Sequence, residues 1–140
     1  MSKIAVVYWS GTGNTEEMAK AVAKGAQEAG AQTELFSAAE FSADKLDSFD
    51  GIALGCPAMG AEELEDSEFL PMYESIKNSL SGKKVVLFGS YGWGDGEWMR
   101  VWDEEVKALG ADVTADFVIA NEAPDADAIA ACEKLGASMV

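Results

Sequence analysis

Three short runs of this chain, residues 3–9, 51–56 and 84–90, are almost wholly apolar. A strand that exposes one face alternates apolar and polar residues, so a run without alternation has to be covered on both faces. The segments between the runs supply the cover. Met99, Trp102, Val106 and Leu109 share one helical face. So do Phe69, Tyr73, Ile76 and Leu80, and later Ala128, Cys132, Leu135 and Met139. Residues 16–29 are helix-like too, and Gly30, Gly82 and Gly110 stand where helices should stop. The more polar run 32–36 suits one sheet edge. Residues 112–120, interrupted by Thr114-Ala115-Asp116, suit an edge strand with a break, and 40–46 a single short helix. Five strands alternating with helices predict a doubly wound α/β sheet with helices on both faces and right-handed crossovers. No repeat or linker divides the chain, so residues 1–140 are expected to form a single domain.

Ligands of such sheets bind at the carboxyl ends of the strands, near the point where strand order reverses. That gathers the loops 10–15, 57–66 and 90–97. The first reads Ser10-Gly11-Thr12-Gly13-Asn14-Thr15 between a strand and a helix. Its glycines let the backbone approach a ligand, its hydroxyls and amide donate, and the helix start offers unpaired N–H groups at the positive end of the dipole. It holds no Lys or Arg and no Gly-Lys-Ser/Thr ending, which excludes a nucleoside-triphosphate P-loop. Glu16 stands where the dinucleotide fingerprint has its third glycine. One phosphomonoester bound by neutral donors fits best; the plainer alternative is a capped helix after a tight turn.

The loop Ser90-Tyr91-Gly92-Trp93-Gly94-Asp95-Gly96 alternates glycines with large or charged residues, so Trp93 can offer a face to a flat ring or pack on its own loop. Trp98 and Trp102, four apart on a helix, read as packing residues. In Pro57-Ala58-Met59-Gly60-Ala61-Glu62, Met59 can line the other face of a ring, Gly60 permits a turn whose peptide reverses, and Glu62 can accept from a ring N–H. By itself this stretch is an ordinary acidic turn before a helix, and the run 62–68 places acidic residues near that helix's start.

Charge narrows the function further. With 25 acidic and 10 basic residues and no histidine, the formal net charge is −15. Nucleic acid and anionic membranes are excluded as partners, basic protein surfaces are favoured, and histidine acid–base or zinc chemistry is unavailable. Cys56 and Cys132 lack metal-ligand spacing and read as buried free thiols of a reducing, cytoplasmic protein. No apolar run reaches bilayer length. A phosphate pocket, two ring-contacting loops and no acid–base machinery describe a site for flavin mononucleotide, FMN.

The stretches Tyr8 to Thr15, Gly55 to Glu63 and Gly89 to Gly96 closely resemble the three FMN loops of short-chain flavodoxins, in register across the whole chain. The resemblance implies a five-stranded sheet of order 2-1-3-4-5 and a low-potential one-electron carrier with no catalytic residues and no metal. It would shuttle between semiquinone and hydroquinone, work as a monomer and dock transiently on redox enzymes with basic surfaces. It also implies roles. Trp9, Ser10, Gly11, Thr12, Gly13, Asn14 and Thr15 make the phosphate loop. Met59 lies on the inner face of the isoalloxazine and Trp93 on the outer. Glu62 accepts from flavin N3–H, and the backbone of Gly94, Asp95 and Gly96 faces the pyrimidine carbonyls. The Gly60 carbonyl accepts from N5–H of the neutral semiquinone, with Ala61 setting the preference of the turn. Pro57, Ala58, Ser90, Tyr91 and Gly92 complete the two ring loops, and Asn121 and Glu122 stand at the rim. The rival enzyme reading is an NAD(P)H-dependent quinone or nitro reductase, which needs a substrate pocket that these short loops and this charge disfavour. A phospho-acceptor response domain lacks its aspartate, because Cys56-Pro57 ends the third strand.

Overall fold

The computed structural model describes residues 2–59, 63–92 and 94–140. The chain runs β1 (Lys3–Tyr8), α1 (Asn14–Glu28), β2 (Gln32–Ser37), α2 (Ala43–Leu46), β3 (Gly51–Gly55), α3 (Phe69–Ile76), β4 (Lys84–Tyr91), α4 (Glu97–Ala108), β5 (Asp112–Val113), β6 (Val118–Asn121) and α5 (Ala126–Ala137). The sheet is parallel with order β2-β1-β3-β4-β5, and β6 also pairs with β4. Strand order therefore reverses between β1 and β3, which puts a crevice above their carboxyl ends.

Alternate residues of each central strand serve opposite layers. Ile4, Val6, Ala53, Val86 and Phe88 meet α1 and α5 through Met18, Val22, Cys132 and Leu135. Ala5, Val7, Ile52, Leu54, Val85 and Leu87 face the other way, toward Phe69, Tyr73, Trp98, Met99 and Trp102. These strands are buried along their whole inner length, which is why their sequences lack alternation. The glycines expected at helix stops, Gly30, Gly82 and Gly110, all adopt positive φ.

Two elements depart from the sequence reading. The fifth strand is split. Lys84 and Val85 pair with Asp112 and Val113, and pairing resumes at Phe88 with Val118. Val86 and Leu87 thus span the same length as residues 114–117, so the edge slips by two residues where Thr114-Ala115-Asp116 interrupts it. The short helix expected over 40–46 begins as a 3-10 turn at Ala38–Glu40, capped reciprocally by Ser37 and Glu40, before α2.

On the α1–α5 side the two helices touch backbone to backbone. A methyl group built on Gly25 would lie 1.8 Å from the carbonyl oxygen of Glu133, and one on Gly136 would lie 2.0 Å from that of Val22. Only residues without side chains allow this approach. It seats α1, and with it the loop that precedes α1, against the last helix.

Candidate functional site

A cleft of about 600 Å³ opens above the carboxyl ends of β1, β3 and β4. The loop after β1 contributes Trp9, Gly11, Thr12 and Asn14, that after β3 Pro57, Ala58 and Met59, and the end of β4 Ser90, Tyr91 and Gly92. The three loops singled out in the sequence therefore meet. Gly60, Ala61, Glu62 and Trp93 lie outside the described residues.

The loop after β1 is built around one hydroxyl. Ser10 Oγ accepts from the N–H of Gly13 at 3.0 Å and of Glu16 at 3.3 Å, folding the loop back on the start of α1. Its own proton stays available for a ligand. Gly13 holds the left-handed conformation at the helix N-cap. The N–H groups of Thr12, Asn14 and Thr15 have no acceptor among the described residues, leaving a set of donors at the positive end of a helix fifteen residues long. The Thr15 side chain is placed differently. It is buried, its Oγ1 sits 3.0 Å from Ser90 Oγ, and it accepts from the Ser90 N–H at 3.4 Å. That hydroxyl pins the start of α1 to β4. Trp9 packs over Gly11 and donates from Nε1 to Glu68 at 3.0 Å.

The second loop is held from several directions. The N–H of Ala58 donates to the Ser90 carbonyl at 3.0 Å, extending the β3–β4 pairing into the cleft. Met59 and Glu63 exchange backbone hydrogen bonds, both 2.9 Å, across residues 60–62. Beyond that bridge Glu65 is buried, yet its carboxylate accepts from the N–H groups of Ser67, Glu68 and Phe69, each at 2.8 Å, and from the Ser67 hydroxyl. Burial works to raise its pKa, but the Ser67 hydroxyl and the three backbone donors outweigh it and hold the carboxyl below its ordinary value. Glu65 thus caps α3 from outside the helix, and its own N–H donates to the Cys56 sulfur at 3.3 Å. Burial pushes the Cys56 thiol up to about 12, so it is a packing group rather than a nucleophile.

In the third loop Gly94 and Gly96 take positive φ, and Gly96 caps α4. Asp95 pairs with Arg100 at 3.1 Å. Trp98, buried, donates from Nε1 to the Cys56 carbonyl at 3.2 Å and packs against Tyr91 with centroids 5.7 Å apart. At the rim, the N–H of Glu122 donates to the Tyr91 carbonyl at 2.7 Å. Glu122 has a φ of 58°, an uncommon conformation for a residue with a side chain. Glu122 and Ala123 line the cleft; Asn121 does not.

The cleft has the size of a cofactor pocket, about 300–1,000 Å³, with a donor-rich end and a mainly apolar remainder. Both features fit FMN: a phosphate at the α1 terminus, and a flat ring between the Met59 and Tyr91–Gly92 segments. The sequence reading missed Glu65, Glu68 and Ala123. Glu68 carries no signal beyond its acidity, because its partner Trp9 is remote in sequence; Glu65 caps its near neighbours Ser67, Glu68 and Phe69, but nothing in an acidic run marks which carboxylate turns inward. Among the described residues no group of His, Cys, Asp and Glu could hold a metal, and no helix is long and apolar enough to cross a membrane.

Known proteins share this architecture. The family model described as flavodoxin matches residues 6–136. The flavodoxin of Clostridium beijerinckii is 49% identical over 120 residues, spanning 86% of this chain and 87% of that one. That of Megasphaera elsdenii is 48% identical over 122 residues, spanning 87% and 88%. The solution structure of two-electron reduced Megasphaera elsdenii flavodoxin superposes with a TM-score of 0.88, covering 97% of each chain at 47% identity.

Proposed function

This chain belongs to the flavodoxin family, so it binds FMN and carries electrons rather than turning over a substrate, and from that premise we propose how its residues set the task. It is a low-potential one-electron carrier that passes between half-reduced and fully reduced flavin. It works as a cytoplasmic monomer and serves redox enzymes that present basic surfaces. Bound FMN supplies the redox centre. Ser10, Thr12 and Asn14, with the free N–H groups of the loop, bind its phosphate, and Thr15 contributes its N–H while its hydroxyl positions the loop on Ser90. Met59, Tyr91 and Gly92 shape the ring pocket. Trp93 would cover the outer ring face, Glu62 would accept from flavin N3–H and the Gly60 carbonyl from N5–H, roles that the resemblance of their motifs to flavodoxin loops supports.

The observation that carries the low-potential reading is the sign of charge around the cleft. No Lys or Arg lines it among the described residues, and Glu122 stands at its rim. The donors offered to the phosphate carry no formal charge, and among the described residues no cationic side chain lines the cleft to offset an added negative charge on the ring. One carboxylate about 10 Å from the ring disfavours the anionic, fully reduced state by roughly 0.4–1.7 kcal/mol between dielectrics of about 80 and 20. Several such groups add, and salt weakens them.

Stepwise anaerobic reduction, followed by visible absorption, tests the reading. A long-wavelength half-reduced species that accumulates before bleaching is the expected course. Direct bleaching, together with steady NAD(P)H oxidation by the protein alone, would replace the carrier with a quinone or nitro reductase.

A further inference from the structure

A second cleft, of about 460 Å³, lies between α3 and α4. Leu70, Trp98, Val101 and Trp102 give it an apolar floor. Val101 is 59% exposed, the most open large apolar side chain among the described residues. Glu63, Glu74, Glu97 and Glu105 stand around that floor, against a single cation, Lys77. Scattered exposed apolar residues need no explanation, but one set in a concave apolar floor within a ring of like charge marks an interaction surface.

This groove shares walls with the flavin cleft. Trp98 lines the groove and packs on Tyr91, which lines the cleft. Glu63 stands at the rim of the groove and exchanges backbone hydrogen bonds with Met59, which lines the cleft. A partner seated in the groove is therefore one aromatic pair away from the ring pocket.

We propose that the α3–α4 groove is a docking site for redox proteins whose contact surface presents an apolar side chain ringed by lysines or arginines. The proposal rests on the electron-carrier reading and names where the partner sits. Charge complementarity selects this occupant. Four carboxylates against one ammonium favour a cationic ring, and the apolar floor gives the encounter an anchor that charge alone lacks. One electron leaves the reduced flavin and arrives at the partner's centre, with no bond made or broken.

The test uses the FMN-loaded protein, fully reduced, mixed rapidly with ferric cytochrome c, a basic haem protein, and in parallel with a small neutral quinone. Glu74→Lys/Val101→Lys closes the groove with positive charge at two exposed positions. Gln27→Lys/Glu28→Lys makes the same net change on α1, across the sheet. At low ionic strength the groove variant should lose about tenfold or more in rate to cytochrome c, and the control variant no more than about threefold. The quinone rate should stay within about twofold for both, because a neutral acceptor needs no docking. Equal losses in the two variants would overturn the groove and leave only general charge steering. A matching loss toward quinone would trace the effect to the flavin potential and overturn it too. Failure of the parent protein to reduce either acceptor would remove the electron-carrier reading itself.

Discussion

The indole N–H of Trp98, at the start of α4, donates to the main-chain carbonyl of Cys56, at the end of β3, across 3.2 Å. The indole reaches it beside Gly89, where an added methyl would lie 2.2 Å from that same oxygen and 3.2 Å from the indole edge. One side chain thereby locks the second ring loop to the third. Trp98→Phe keeps an aromatic ring but removes the donor. It should cost about 1–3 kcal/mol in urea unfolding, the scale of a buried carbonyl left unpaired. FMN should also bind more weakly, as read by fluorescence titration, because the Cys56 backbone and Tyr91 lose their common strut. An unchanged dissociation constant would show that the loops hold their places without it.

Glu65 makes stability depend on pH. Its folded pKa lies below the unfolded one, so its contribution is complete above the ordinary value of 4.5 and disappears as pH falls through the folded pKa. Glu65→Gln should cost about 0.5–2 kcal/mol at neutral pH, the range for a lost helix cap. It should also flatten the acid limb of the stability curve. Parallel acid limbs for the two proteins would show that other carboxylates set it.

The contact between α1 and α5 leaves no room for a methyl group at Gly25 or Gly136. Gly25→Ala should cost more than about 3 kcal/mol in thermal unfolding, since backbone rather than a flexible side chain blocks the way. Gly30→Ala meets nothing within 4 Å and should cost only the left-handed penalty, roughly 1–2 kcal/mol. Similar losses at the two positions would mean that the helices separate easily.

Both cysteines are free and fully buried, and burial pushes each thiol up to about 12. At pH values where a free thiol reacts readily, neither should do so in the folded protein. Labelling by a maleimide should proceed at the rate of global opening and accelerate with urea in step with unfolding. Rapid labelling of Cys56 alone would reveal local opening of the 56–65 segment.

The central strands were legible because burial on both faces removes alternation, and β1, β3 and β4 announce themselves. The edge was harder to read. Asp112–Val113 and Val118–Asn121 look like one interrupted run, and whether such a run bulges or ends is decided by the strand it pairs with, β4. In the cleft, glycine and hydroxyl spacing singled out the loops after β1, β3 and β4, and described residues of all three line it. The locks could not. Thr15 to Ser90, Trp98 to Cys56 and Glu68 to Trp9 join residues far apart in sequence, and only the backbone's final course selects them. The acidic run 62–68 reads as a solvated approach to a helix, and one of its members proves to be a buried cap, distinguished by position alone.

The seat of α1 on α5 also sets an order of events. The loop after β1 is made well before the surface that fixes its helix, which belongs to α5. Contacts of such long sequence separation come late and close only after the intervening chain is placed. A loop laid down early in the chain thus takes its final place only once α5 has docked, and the cleft above β1 depends on a helix that supplies none of its described lining residues.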